Sequence, residues 1–280
     1  MTAATDVPYR IAVGLEYVGT GFAGWQAQGE LRTVQRCVER ALASIADHPL
    51  SVVCAGRTDA GVHALGQVAH FDTRAARSPR AWVLGTNGEL PPDASISWAR
   101  PVPRHFHARY SAHSRTYRYL ILNRSARSAL ASGRAAVVHR PLDVERMREA
   151  AASLIGEHDF SAFRAADCQA RSPVRRLTEL TVERAGDWVT IVATANAFLH
   201  HMVRNLAGLL IAIGTGGFAP GWAREVLEAG DRTRGAPTAA AEGLYFERVG
   251  YPAAFGLPDG SGQAGRFAMI AGLPAVSSRD

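Results

Sequence analysis

The residue types best suited to chemistry sit in one short segment, Gly56-Arg57-Thr58-Asp59-Ala60-Gly61-Val62-His63-Ala64. It is polar, carries glycines, and lies between apolar runs that read as strands. Glycines permit positive φ and let a ligand approach the backbone. A nearby arginine lowers the pKa of a carboxylate and so keeps it ionised. An ionised Asp59 in a loop can be a nucleophile, a base or a metal ligand. As a bare R-x-D pair with Arg57 it can equally be a loop ion pair of small energetic value. Two other clusters invite chemistry. Gly19-Thr-Gly21-Phe-Ala-Gly24 follows a strand-like run and has the spacing of a dinucleotide-binding loop. In such a loop the third glycine enters a helix. Here helical periodicity resumes only near Thr33, and the acid at the right distance, Asp47, precedes the next strand instead of ending it. His200-His201 suggests a metal, yet no HExxH spacing and no cysteine partner accompany it. A structural role in a helix is the expectation there, with no metal.

Charge removes whole classes of function. The chain has 280 residues, 31 arginines and no lysine, for a net charge of +6. A P-loop needs its lysine, a kinase its strand lysine, and Schiff-base chemistry a lysine amine. Every cation is instead a planar, permanently charged guanidinium suited to bidentate phosphate contact. The charge is uneven: residues 100–176 hold 15 arginines and six acids, a balance of +9, which leaves −3 for the remainder. Such clustering points to a polyanion, RNA or DNA ahead of a membrane. Cys37, Cys54 and Cys168 are far apart, so no disulfide framework is expected and a reducing, cytoplasmic setting fits. The opening MTAATDVPYR has no basic start and no apolar core of a signal peptide. The apolar run 206–213 is too short to span a bilayer.

Periodicity supplies the elements that must carry these residues. Residues 9–18 alternate, with Ile11, Val13, Leu15 and Tyr17 on one side, which predicts a half-buried strand. Thr33 reads as the N-cap of a helix through Ile45, and Ser78-Pro79 as an N-cap and first turn. Strands are expected over 51–54, 67–73, 95–102, 115–122, 177–183, 188–195 and 243–250. Further helices are expected from Asp143 to about Ile155 with Gly156 as a left-handed stop, over 199–213, and from Pro220 to Gly230. Adjacent hairpin strands among helices predict an α+β fold with mainly antiparallel sheet, not a doubly wound parallel one. The expected organisation is residues 1–107, carrying the Asp59 loop, 108–252, and a Gly/Ala/Ser-rich tail over 253–280.

The segment GRTDAGVHALGQVAHF resembles the active-site signature of the tRNA pseudouridine synthase A (TruA) family. The likeness extends to Tyr17-x-Gly19-Thr20-x-Phe22-x-Gly24-Trp25-Gln26, to Phe106-His107-Ala108-Arg109 followed by Arg115-Thr116-Tyr117-Arg118-Tyr119, and to Asp159-Phe160 through Arg164 with Cys168-Gln169 and Pro173-Val174-Arg175. It continues through Phe198-Leu199-His200-His201-Met202-Val203-Arg204-Asn205 and Ala241-Glu242-Gly243-Leu244-Tyr245, in family order from Tyr9 to Pro252. The resemblance implies two related domains whose sheets join across a basic cleft, with helices on the outer faces. It implies a cofactor-free isomerase that converts uridines 38, 39 and 40 of the tRNA anticodon stem-loop to pseudouridine. By the same resemblance Asp59 is the catalytic carboxylate and Arg204 the arginine that pairs with it. Tyr117 is the ring on the uracil, Leu244 an apolar wall and Arg57 the arginine of base extrusion. Arg164 joins the substrate-binding set. A homodimer binding tRNA across both subunits, with no membrane contact, completes the expectation. Whether Asp59 attacks C1′, adds to C6 or removes a ribose proton stays open.

Overall fold

The structure is a computed structural model that describes residues 9–166 and 168–258. The described chain forms two compact units, residues 9–113 with 248–258, and residues 114–247. The tail expected over 253–280 is described only through residue 258; the rest of it, like the opening 1–8, lies outside the described residues.

The first unit is built on β1 (Tyr9–Tyr17), α1 (Val34–Ala46), β2 (Val53–Cys54), β3 (His63–Thr73), α2 (Pro79–Glu89) and β4 (Ala94–Val102). β1 pairs antiparallel with β3 (Val13 opposite Ala69) and with β4 (Val13 opposite Ala99), while β2 pairs antiparallel with β3. The half-buried expectation for β1 is corrected: Ala12 and Gly14, on its other face, are buried too. The indole of Trp98 lies where a Cβ on Gly14 would be, which is how that face is covered. β3 begins at His63, four residues before the expected start, so the Asp59 loop is shorter than the sequence suggests. Ser78 caps α2 as expected, accepting from the Ala81 N–H at 3.2 Å. Thr33 precedes α1 but makes no cap hydrogen bond, and its buried hydroxyl has no partner among the described residues. α1 and α2 approach closely at Gly85, where a Cβ would stand 2.7 Å from Ile45 Cδ1.

The second unit contains β5 (Ser114–Asn123), β6 (Ala136–Val138), α3 (Val144–Ala152), β7 (Gly156–Asp159), β8 (Val174–Ala185), β9 (Trp188–Ala195), α4 (Met202–Gly214), α5 (Trp222–Ala229) and β10 (Leu244–Gly250). β9 pairs antiparallel with β5 and β8, β8 with β7, and β6 runs parallel to β5, so the sheet is mixed and mainly antiparallel. β10 flanks β5; its residues 244–247 belong to this unit and 248–250 to the first. α3 stops at Ala152, earlier than expected. Gly156 does have positive φ (128°), but it opens β7 instead of closing the helix. α4 starts at Met202, after His201 in a left-handed conformation (φ 62°). It is buried on nearly every side, as befits a helix apolar all round.

Candidate active site

In the first unit Asp59 opens a tight turn between β2 and β3. The Val62 N–H donates to the Asp59 carbonyl at 3.1 Å, and Gly61 between them has φ +80°. That φ belongs to the third residue of a type II turn, where a side chain is strained, so the glycine of D-A-G-V is a geometric requirement. The turn rests on the loop after β1. The Trp25 N–H donates to the Thr58 carbonyl at 2.9 Å, the Gly61 N–H to the Phe22 carbonyl at 3.4 Å, and the Gly19 N–H to His63 Nδ1 at 3.0 Å.

The glycines that mimic a dinucleotide loop are explained by this contact. A Cβ on Gly19 would lie 2.0 Å from the Val62 carbonyl oxygen. On Gly24 (φ +87°) it would lie 2.8 Å from the Thr58 oxygen and 3.1 Å from the Ala60 nitrogen. They let two pieces of main chain meet, and α1 begins only at Val34.

Buried side chains complete the clamp. Gln67, fully buried on β3, donates to the Gly56 carbonyl at 2.6 Å and accepts from the Gly56 N–H at 3.4 Å. The Tyr17 and Thr58 hydroxyls share a 2.8 Å hydrogen bond. Tyr17, Phe22 and Trp25 pack edge-on or tilted, with centroids 6.2–6.4 Å from the Tyr17 ring. Burial and lost solvation drive the Tyr17 hydroxyl pKa well above its usual value, so it stays a neutral hydrogen-bonding group. Asp59 itself is half-buried and Arg57 is exposed. Gln67 escaped the functional reading because, as a lone polar residue on a strand, it gave no signal beyond lying within the Asp59 signature.

The second unit places Tyr117, Leu244, Arg204 and Arg164. Tyr117 on β5 stacks on Phe246 (centroids 4.7 Å, 24° between planes) and meets the Phe198 ring edge-on at 5.1 Å. Leu244 and Phe246 are two apart on β10 and share a face; both are buried. Phe246 is a supporting residue the motif reading missed; strand alternation from Leu244 was the available signal. Arg204 lies in the first turn of α4 and donates from Nε to the Ala239 carbonyl at 2.8 Å, while the Ala239 N–H donates to the Arg204 carbonyl at 3.1 Å. Gly208, one turn on, lets α4 abut the same segment: a Cβ there would sit 2.1 Å from the Pro237 oxygen. The Tyr119 hydroxyl donates to the Ala240 carbonyl at 2.8 Å. Residues 237–244 are thus pinned between α4 and β5, which fixes Leu244 and one side of Arg204.

Arg164 follows the buried Phe160–Phe163 turn and donates to the Cys168 carbonyl. The Cys168 sulfur in turn accepts from the His200 N–H at 3.4 Å. His200 and His201 rings lie 4.1 Å apart. A last support is the bidentate pair of Arg118 with Glu247, at 2.9 and 3.0 Å, which ties β5 to β10.

The comparisons agree with the motifs. Residues 15–111 and 150–252 match the family model described as tRNA pseudouridine synthase. A protein of Methylococcus capsulatus named tRNA pseudouridine synthase A is 56% identical over 270 residues, covering 96% of this chain and 97% of its own. Its counterpart in Nitrosococcus oceani is also 56% identical, over 89% of this chain and 96% of its own, and that of Burkholderia mallei is 53% identical over 89% and 92%. Among solved structures, the archaeal box H/ACA sRNP Nop10-Cbf5 complex aligns with 82% of this chain and 61% of its own at 11% identity and a TM-score of 0.34. With matching residues in both units and more than half of its residues inside the family model, this chain belongs to the tRNA pseudouridine synthase family.

Proposed function

We propose that this protein isomerises uridines 38, 39 and 40 of the tRNA anticodon stem-loop to pseudouridine, with Asp59 as the catalytic carboxylate. The observation that carries the reading is the rigid, glycine-dependent turn that presents Asp59, held by Trp25, Phe22 and Gln67. In the reaction the N1–C1′ bond breaks, the uracil turns while held, and C5 bonds to C1′. C5 gives up a proton and N1 takes one, so atoms balance with no added reagent. Attack on C1′, addition to C6 and removal of a ribose proton all begin from the same ionised carboxylate.

The other residues take roles their settings suit. In this reading Arg204 is the cation that serves the Asp59 carboxylate. Tyr117, backed by Phe246 and Phe198, offers a ring to the uracil that does not demand one hydrogen-bond pattern, so the base can turn. Leu244 walls off water. Arg57, exposed beside the Asp59 turn, takes part in extruding the nucleotide, and Arg164 contributes to substrate binding. The same reading includes a homodimer with tRNA across both subunits, a basic cleft and a cytoplasmic setting. Among the described residues, no helix is long and apolar enough to cross a membrane.

Asp59→Asn tests the reading. The amide keeps the shape and removes the charge, so product formation should fall about a thousandfold or more while tRNA still binds. Carbodiimide mapping of the tRNA, with a filter-binding measurement, reads both. Full modification by the variant would sink the assignment of Asp59.

A further inference from the structure

Tyr110 is the most exposed aromatic ring among the described residues, at 76% of its surface. Single exposed apolar residues need no explanation, but the setting of this one is built. Its turn alternates inward and outward: Phe106 and Ala108 are fully buried, Arg109 and Tyr110 exposed. The His107 N–H donates to Ser111 Oγ at 2.9 Å, and the Ser111 N–H donates back to the His107 carbonyl at 2.9 Å. His107 Nδ1 accepts from both the Arg109 and Tyr110 N–H groups at 3.2 Å. Phe106 is anchored by Tyr251, Phe255 and His70, with ring centroids 5.1–5.9 Å away. The backbone carrying Tyr110 is therefore fixed.

The ring is also oriented. The His107 imidazole lies 4.3 Å from the Tyr110 centroid at 32° and supports one side. Burial and the charge of Arg10 hold the His107 pKa below its usual value, so at neutral pH this support is an uncharged ring. The Arg109 guanidinium sits 5.6 Å from the Tyr110 centroid. A braced ring that is largely exposed, with a cation beside it, makes a platform for an unpaired nucleobase and its phosphate.

We propose that Tyr110 and Arg109 form a second contact for the RNA substrate, in which the Tyr110 ring stacks on an unpaired nucleobase and the Arg109 guanidinium meets an adjacent phosphate. The base is one other than the uridine being isomerised, and the contact serves binding and register. The inference rests on the reading of Asp59 as the catalytic carboxylate only for the identity of the substrate.

The experiment uses the full chain and an unmodified tRNA transcript. Tyr110→Ala should raise KM about tenfold, the scale of one lost base–aromatic stack, with kcat within twofold and an unchanged melting temperature. Tyr110→Phe should restore KM, because the ring and not the hydroxyl does the stacking. Arg109→Ala should weaken binding and reduce the salt slope of affinity by about one. An unchanged KM in Tyr110→Ala overturns the proposal. So does a changed sedimentation coefficient in that variant with tRNA affinity intact, which would make the ring a contact to a second copy. The Asp59→Asn result is read separately: an active Asp59→Asn enzyme removes the catalytic assignment and leaves the Tyr110 binding measurement standing.

Discussion

Gln67 and His70 lie on β3, buried, uncharged and polar, and each secures a loop on the first unit. Gln67 answers both backbone groups of Gly56. Gln67→Leu keeps much of the volume and leaves those groups unpaired. A buried unsatisfied group costs about 1–3 kcal/mol, so urea unfolding should show a loss in that range, with turnover reduced because the Asp59 turn loosens. Unaltered turnover would mean the turn is held well enough by Trp25 and Phe22. His70 accepts from the Ala108 N–H at 3.1 Å, and burial, then the charge of Arg10, push its pKa down to about 4. The unfolded chain protonates this histidine near pH 6.5. Between about pH 6.5 and 4 the unfolded state therefore binds the extra proton, and stability falls as pH falls. The native advantage is complete above pH 6.5 and amounts to about 3 kcal/mol. Asp72, lowered by its hydrogen bond with Arg10, changes stability only at more acid pH. His70→Asn offers an acceptor in place of Nδ1 but does not titrate. Its unfolding free energy should be flatter over that window, and an identical pH slope in variant and wild type would show that another group is responsible.

At the scale of elements, the loop after β1 and the Asp59 turn are one device held by main-chain contact, and glycine is what makes the contact possible. Gly24→Ala must relieve a 2.8 Å approach to the Thr58 oxygen at a backbone φ of +87°. The strain exceeds about 1 kcal/mol, and it falls on the residue next to Asp59. Activity should drop at least tenfold while the melting temperature moves by a few degrees; a variant as active as wild type would show that the turn position does not matter. This device was only half legible in the sequence. Both motifs stand out as strings, and context argues against a dinucleotide loop at G-x-G-x-x-G, but spacing does not say what approaches a glycine. The longer strands, the helices and the Ser78 cap were legible since each rests on local periodicity or turn chemistry. Three features were not. The early start of β3 depends on pairing with β1, which lets a Gly-rich stretch join a ladder. The second buried face of β1 depends on Trp98, 84 residues from Gly14. The stop of α3 at Ala152 is set by β7 starting at Gly156, so the glycine that looked like a helix terminator serves a strand.

For the whole molecule, the absence of lysine turns every electrostatic contact with RNA into an arginine contact. Apart from the α-amino group the chain has no amine. Succinimidyl acetate should leave turnover intact, whereas phenylglyoxal, which attacks guanidinium, should abolish it, with tRNA protecting. The +9 balance over 100–176 nevertheless overstates the RNA surface. Arg118 is committed to Glu247, Arg115 to the Asn196 carbonyl, and Arg148 to the Val182 carbonyl and Glu145. Arg100, Arg104, Arg109, Arg127, Arg134, Arg171 and Arg176 are exposed, as is Arg57 outside the segment. If those exposed side chains carry the phosphate contacts, roughly eight counterions leave on binding, and log affinity should fall with log salt at a slope of about −6 to −7. Filter binding of tRNA to Asp59→Asn enzyme from 50 to 200 mM salt measures it without turnover. A slope shallower than about −1 would remove the basic surface from the account. A slope near −10 would mean that arginines now bonded within the fold release their partners to reach the RNA. Replacing Arg118 separates the two cases. It should cost stability, because Glu247 is left buried and unpaired, at about 3–5 kcal/mol, and leave the salt slope where it was.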